Sequence, residues 1–258
     1  VLVLIIEYLK RKDKPFCVLD THAGPGLYDL ASTEARKTGE FHHGIERLLW
    51  EPSPPPELAP YLGVVQALNG GELRWYPGSP RLARTLLRPD DRLVASELHP
   101  EDFATLAANF ARDPRTAIHH LDGYQAMRAF LPPRQRRGVV LVDPPFEVGN
   151  EFTLLANALV TAHTRWPGGT YVAWYPIKDM VAPFHAALRR SGIGNILVVE
   201  MTIRPPRDPV QLNGCGLVIL NPPWTLADSL REVMPFLCSR LVREPGGDWK
   251  LVRLAEHG

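Results

Sequence analysis

Two stretches of the chain end an apolar run with an acid or amide, two prolines and an aromatic ring. They are Asp143-Pro144-Pro145-Phe146 after Val139–Val142, and Asn221-Pro222-Pro223-Trp224 after Val218–Leu220. An amine attached to an aromatic ring is a weak nucleophile, because its lone pair is delocalised into the ring. A carboxylate and a neighbouring backbone carbonyl, here Asp143 and Pro144, are placed to accept hydrogen bonds from both of its N–H groups. That pulls the nitrogen toward a pyramidal shape and aims its lone pair at an electrophile. Proline's fixed φ freezes such a loop, and Phe146 offers a face on which the ring stacks. The chemistry expected of Asp143, Pro144, Pro145 and Phe146 is in-line methyl transfer to a planar amine, driven by positioning and electrostatics. Asp143 need not take up the proton before attack.

Three further apolar runs end in acids: Phe16–Asp20, Arg92–Glu97 and Thr116–Asp122. In an open α/β sheet, ligands bind outside the carboxyl ends of the strands. One acid at such a place is ordinarily a cap for the next turn; four in succession, with Asp143, point to a shared crevice. Gly24 and Gly26 follow Asp20 and allow a tight turn and close approach to a ligand. Their spacing is not the G-x-G-x-x-G dinucleotide fingerprint. Glu97, on the second sheet strand, is placed to accept from both hydroxyls of a ribose. Asp122 is placed to accept from an adenine amino group while a backbone N–H at Gly123 donates to a ring nitrogen. Together these describe an adenosine pocket without a diphosphate cradle, which suits S-adenosylmethionine.

The elements that must hold these residues alternate. Strand-like runs at 170–177, 195–203 and 216–220 follow the first four, and helical windows lie between most of them. The pattern predicts a mostly parallel sheet covered on both faces. Between Leu30 and Trp75 no strand is expected, only helical windows at 44–50 and 56–69, read as a small insertion at about 31–76 rather than a second domain. Ser79 is expected to cap the next helix, with Pro80 at its first position. In methyltransferases of this sheet type the seventh strand is antiparallel, so the Asn221 motif should face away from the crevice. It is therefore read as structural, with Trp224 packed beneath the sheet, and the Asp143 motif as catalytic.

Composition bounds the rest. The chain has 258 residues, 45% of them hydrophobic and 22% charged, with a formal net charge of +1, so overall charge does not declare a nucleic-acid binder. Cys17, Cys215 and Cys238 are scattered, which argues for a reducing cytosol rather than a disulfide framework. The 26 prolines gather at element boundaries. The opening Val-Leu-Val-Leu-Ile-Ile is too short to span a membrane and reads as part of an amphipathic helix, with the true N-terminus expected upstream.

The motifs LDTHAGPGLYDL, YPGSP, SELHP, DGYQAM, RRGVVLVDPPFE, WYPI and GLVILNPPW occur in this order. They resemble the bacterial 23S ribosomal RNA adenine-N6 methyltransferases, the RlmJ family, from about residue 4 to the last strands. The resemblance implies a Rossmann-like class I S-adenosylmethionine-dependent fold, in which residues 1–258 form one α/β domain. Its sheet would be seven-stranded and mostly parallel, with an antiparallel seventh strand. It also implies methyl transfer to N6 of an adenine in 23S ribosomal RNA, in the cytoplasm. By position, His22 and Ser79 are implied cofactor contacts beside Gly24 and Gly26, Glu97 the ribose ligand, Asp122 and Gly123 the adenine contacts, and Asp143 the catalytic residue. No metal or membrane partner is implied, and a monomer is expected. Two departures stand out. Phe146 replaces the family's usual tyrosine, and a histidine-containing segment that precedes the family's first helix lies outside this chain.

For RNA contact, Arg204 and Arg207 on the crevice side are the preferred candidates, with Arg36, Lys37, Arg47 and Arg74 of the insertion. Arg134, Arg136 and Arg137 are read as a solvated loop. A weakly basic enzyme should act on loosely structured RNA, before the subunit is fully assembled. The Asp143 loop alone leaves other planar amines open: DNA adenine, guanine N2 or protein glutamine. A non-catalytic RNA-binding protein of the same fold is the alternative of a different class.

Overall fold

The apolar runs that end in acids become the middle of one sheet. A computed structural model describes residues 1–205 and 212–255. In chain order the elements begin with α1 (Leu2–Lys10), β1 (Cys17–Asp20), β2 (Leu27–Asp29), α2 (Thr33–Thr38), α3 (Glu40–His43) and α4 (Ile45–Leu49). After a single 3₁₀ turn at Pro56–Leu58 come α5 (Ala59–Asn69), β3 (Trp75–Pro77), α6 (Ser79–Leu86), β4 (Arg92–Glu97), α7 (Pro100–Phe110), β5 (Thr116–His120) and α8 (Gly123–Phe130). The chain continues with β6 (Gly138–Val142), α9 (Glu151–Arg165), β7 (Thr170–Pro176), α10 (Val181–Arg190), β8 (Ile196–Thr202), β9 (Gly214–Leu220), α11 (Leu226–Leu241) and β10 (Trp249–Ala255).

The sheet has eight strands in the order β5-β4-β1-β6-β7-β9-β8-β10. The pairs β4–β5, β1–β4, β1–β6 and β6–β7 are parallel, whereas β9 runs antiparallel to both β7 and β8. The order reverses between β1 and β6, which places a crevice at the carboxyl ends of those two strands. The expected seven-stranded sheet is thus extended by one strand. β10 pairs antiparallel with β8 along the edge. Its sequence interleaves Lys250 and Arg253 with apolar residues and it is only half buried, so no continuous apolar run marks it as a strand.

Side chains alternate between the two faces along each strand. On β6, Val139 and Leu141 pack with α1, α6, α7 and α11, while Val140 and Val142 pack with α8, α9 and α10. Burial on both faces explains why β6 is apolar throughout. The segment at 31–76 is framed by an antiparallel ribbon of β2 and β3, with Tyr28 opposite Tyr76. Its Ile45, Leu48, Leu49, Leu62 and Val65 form a separate cluster that packs on Phe236, Leu237 and Leu241 of α11. The helices expected there are α4 and the 3₁₀ turn with α5; α2 and α3 are additional.

Two local expectations are corrected. Gly78, not Ser79, caps α6, and the cap makes no side-chain hydrogen bond. A Cβ on Gly78 would lie 3.2 Å from the Gly26 backbone, so the cap position goes to the residue without a side chain. Ser79 and Pro80 then fill the first turn. Trp224 does not pack beneath the sheet: it is 74% exposed. The apolar stripe of α11 begins at Leu226, and Trp224 precedes it on the outside of the proline turn. Leu220 pairs with Tyr171 near the start of β7, so Asn221 lies at the end of the sheet opposite Asp143. Asn221 has φ +50°. Its amide donates to the carbonyls of Pro167 at 2.6 Å and Gly169 at 2.9 Å.

Candidate active site

Gly24 and Gly26 turn the chain after β1 with φ of +58° and +80°. A Cβ at Gly24 would sit 2.6 Å from the Tyr28 hydroxyl, and one at Gly26 would sit 2.9 Å from Leu106. Glu97, the last residue of β4, holds this turn. Its Oε2 accepts the Gly24 N–H at 2.7 Å and its Oε1 accepts the His99 N–H at 2.8 Å.

Asp20 is fully buried, and neither of its carboxylate oxygens makes a hydrogen bond of good geometry, although the Ser79 hydroxyl and the His22 N–H lie close to them. Burial pushes its carboxyl up to about 7; the nearby Ser79 hydroxyl and His22 N–H oppose the rise, and the charges of Asp143 and Glu97 add to it. An unpaired buried carboxylate costs free energy, and the cost falls when a cation enters beside it.

Asp122 caps α8, its side chain accepting the Gln125 N–H at 2.9 Å, and Gly123 is the first helical residue. A Cβ on Gly123 would meet the His22 ring at 2.4 Å and the Thr21 carbonyl at 2.5 Å. Only glycine lets these loops touch. His22 is held neutral, its imidazole lowered to about 4 by burial, and its Nδ1 lies 2.8 Å from the Thr21 hydroxyl. Its ring meets the edge of Tyr124 at 5.6 Å. The Tyr124 hydroxyl donates to buried Glu151, the first residue of α9. The glycine turn, the cap of α8 and the exit of the Asp143 loop are therefore mechanically joined.

The loop itself follows β6. The Asp143 side chain opens to solvent yet is ringed by protein, and the loss of solvation pushes its carboxyl up to about 6. Pro144 is buried beneath it. Phe146 takes a left-handed φ of +54°, a conformation disfavoured for residues other than glycine. Its ring lies 4.8 Å from Phe152 and 5.8 Å from Trp174, both edge to face.

The crevice thus brings together His22, Gly24, Gly26, Ser79, Glu97, Asp122, Gly123 and Asp143. Sequence reasoning left out three neighbours. Val142 pairs with Ala173, which sets Trp174 beside Asp143. Cys215 lies close enough to feel the Asp143 charge, and the Trp174 indole bonds toward its thiol. Tyr28 leans over the glycine turn, its hydroxyl pushed up to about 12 by desolvation and then by the charges of Asp102, Asp20, Asp143 and Glu97. Trp174 and Cys215 reach Asp143 through the pairing of β6, β7 and β9, whereas Tyr28 follows the glycine turn directly on β2. Of the expected RNA contacts, Arg204 lies 3.8 Å from Glu244, Arg74 pairs with Asp29, and Arg47 donates to the Arg240 carbonyl. Arg207 lies outside the described residues.

The residues fit an adenosine-bearing cation. Glycines line the approach, and among the described residues the carboxylates of the floor have no side-chain cation paired with them. A cationic methyl donor such as S-adenosylmethionine complements both. Its ribose and adenine would be held by Glu97, Asp122 and Gly123. Among the described residues no helix is long and apolar enough to cross a membrane, and no group of three or more His, Cys, Asp or Glu side chains could hold a metal ion.

Comparison with known proteins gives a consistent result. A family model described as ribosomal RNA large subunit methyltransferase D, RlmJ, matches residues 13–254. The chain is 42% identical to the ribosomal RNA large subunit methyltransferase J of Haemophilus influenzae, over 96% of this chain and 90% of that protein. It is 41% identical to the protein of the same name from Escherichia coli K12, over 93% of this chain and 86% of that one. Among solved structures, protein LPL1258 from Legionella pneumophila superposes with a TM-score of 0.89 at 30% identity, covering 97% of this chain and 93% of that one. The chain belongs to the RlmJ family of ribosomal RNA large subunit methyltransferases.

Proposed function

We propose that this chain transfers a methyl group from S-adenosylmethionine to N6 of an adenine in 23S ribosomal RNA. The observation that carries the reading is the seat of Asp143. It stands at the carboxyl end of β6, its carboxyl raised to about 6, with Pro144 fixed beside it and the acids of the cofactor crevice next to it. The names of the relatives support the choice of ribosomal RNA over DNA or protein.

When bound, S-adenosylmethionine supplies an electrophilic methyl group on a sulfonium. The chain does the rest by placement. Asp143 and the Pro144 carbonyl accept the two N–H groups of the adenine amine and localise its lone pair. Phe146 stacks on the base, and its contacts with Phe152 and Trp174 keep its ring in place. Asp143 works as an anion that accepts hydrogen bonds, so it must be ionised. A target adenine has to be flipped or already single-stranded to reach this floor. The site therefore favours loosely structured RNA in the cytoplasm before subunit assembly is complete, with the enzyme acting as a monomer.

The test is methyl transfer from labelled S-adenosylmethionine to protein-free 23S RNA and to intact large subunits, with Asp143→Ala alongside. N6-methyladenosine formed on naked RNA and lost in the variant is the expected result. Label on another nucleoside, or none while the donor still binds, overturns the reading. Equal activity on intact subunits overturns the assembly clause alone.

A further inference from the structure

A cavity distinct from the crevice is present among the described residues. It lies at the opposite, amino ends of the strands and holds about 650 Å³. That is within the range of about 300–1,000 Å³ typical of ligand pockets. The first residues of β1, β4 and β5 (Cys17, Arg92 and Thr116) line it, as does the loop from α8 into β6. Asp20, on the crevice side, is the other end of the same short strand as Cys17, so the two sites lie at opposite ends of the strands.

The lining is unusual in its charge. Arg92, Arg115 and Arg134 contribute to it, and no carboxylate does. Among the described residues Arg92 donates only to backbone carbonyls, of Pro89 at 3.2 Å and Asp91 at 3.0 Å. Arg115 shares Asp113, at 3.3 Å, with Arg84, so one carboxylate serves two guanidinium groups. Arg134 is exposed and has no partner among the described residues. The Thr116 hydroxyl oxygen is buried and unpaired, although a buried polar atom ordinarily has a partner. Beneath these groups the wall is apolar, built from Leu19, Val94 and Val139, with Phe130 and Trp166 at its sides.

We propose that this pocket is a second ligand site that takes a nucleotide, with the phosphate on the arginines and the base on the apolar wall. Guanidinium forks match phosphate oxygens two at a time. Aromatic and aliphatic surfaces accept any unpaired base by stacking and contact. Thr116 and Gln135 are left for ribose hydroxyls. The same chemistry has two sources: a free mononucleotide, or an unpaired nucleotide of the RNA held away from the reacting adenine. Arg134, in the loop that the sequence presents as merely solvated, belongs to the cationic rim of this site, whereas Arg137 of the same loop donates to the carbonyls of Leu9 and Lys14.

The experiment is calorimetric titration of the full chain with uridine monophosphate and with a single-stranded oligouridylate. S-adenosylhomocysteine is present throughout to fill the crevice, and uridine avoids its adenine subsites. Binding of either probe should weaken about tenfold or more in Arg134→Glu, as expected for losing a charge-assisted bond. Arg115→Glu should act in the same direction, and Thr116→Val should weaken binding less. Lys12→Glu, a charge change on a neighbouring exposed loop outside the pocket, should leave it unchanged. Binding of the oligonucleotide alone assigns the site to RNA, and binding of the monophosphate alone assigns it to a free nucleotide. The proposal is overturned if neither probe binds, if Arg134→Glu and Arg115→Glu bind as well as the parent, or if Lys12→Glu weakens binding equally.

Discussion

Glu97 accepts the N–H of Gly24 at 2.7 Å although 73 residues separate them in sequence. The bond closes the cofactor turn across the helices at 31–76, because the acid arrives on β4 only after that segment. It also gives Glu97 a mechanical task besides any contact with a ribose.

Glu97→Ala should therefore do two things at once. It removes the acceptor for two backbone N–H groups, Gly24 and His99, at a cost of about 1–3 kcal/mol for each one left unsatisfied. It should also weaken S-adenosylhomocysteine binding by more than about tenfold. Glu97→Gln keeps one acceptor oxygen and should fall between parent and alanine in both thermal midpoint and affinity. Loss of affinity with no change in the thermal midpoint would show that Glu97 contacts only the ligand.

Asp20 predicts a conflict between stability and function. Its carboxyl is raised to about 7 in the folded chain. The ordinary value for an unfolded aspartate is about 3.9. The sign follows from linkage. The native state binds the extra proton, so Asp20's contribution to stability is fully present below about pH 4 and declines until about pH 7 as burial of the charge takes hold. Asp20→Asn should raise the melting temperature of the ligand-free protein at alkaline pH and change it little in acid. The same variant should bind a cationic donor far more weakly. A variant that melts lower at alkaline pH would mean that an unseen partner already pays for the charge.

How much of this was legible follows a physical line. The central strands announce themselves because burial on both faces demands unbroken apolar runs, and the acids that end them lie where a parallel sheet must bind its ligand. The Asp143 loop is legible because four consecutive residues carry the chemistry expected of it. β10 escapes because an edge strand tolerates Lys250 and Arg253. Trp174 and Cys215 escape because only strand register brings them to Asp143. Asp122 shows a different limit: an acid at this position is expected as a ligand contact, and in the structure its side chain caps α8, so sequence alone could not separate the two roles.

The pH profile follows from Asp143. Its carboxyl, raised to about 6 by loss of solvation, must be ionised to accept the amine's N–H bonds. Catalytic efficiency should therefore rise through about pH 6 and level off above it, with Asp20 broadening the limb toward about 7 because the two carboxyls interact. Asp143→Asn should lower the rate by about a hundredfold or more, in the range seen when a preorganised polar contact to a transition state is lost. A profile flat from about pH 5 to pH 8 would show that the charge of Asp143 is not required.

Phe146 tests whether the ring or the backbone matters more. Its φ of +54° carries strain of about 1–3 kcal/mol. Phe146→Gly relieves that strain but removes the ring from Phe152 and Trp174. Activity on RNA should fall at least about tenfold, since stacking on a base contributes about 1–3 kcal/mol. S-adenosylhomocysteine affinity should change little. Phe146→Tyr keeps the ring and should retain activity within a few-fold. If the glycine variant is as active as the parent, the ring has no part in holding the base.

The Asn221 motif supplies the complementary case, because its outward likeness to the Asp143 motif is not matched by its position. Asn221 adopts φ +50° and its side chain donates to two carbonyls, of Pro167 and Gly169, at the opposite end of the sheet. Asn221→Ala loses both bonds and places an alanine in a left-handed conformation. Two hydrogen bonds at about 0.5–1.5 kcal/mol each and a backbone penalty of about 1 kcal/mol sum to about 2–4 kcal/mol. Asn221→Gly keeps the backbone relaxed and should lose only the bonds. Trp224→Ala, at a side chain 74% exposed, should leave the midpoint of denaturation within about 0.5 kcal/mol of the parent. None of the three should alter the rate per folded molecule by more than about twofold, a bound that catalytic contacts at Asp143 would exceed by far. Measured together, unfolding curves and methyl-transfer rates separate the motifs: a rate loss in Asn221→Gly without a stability loss would return the second motif to the chemistry.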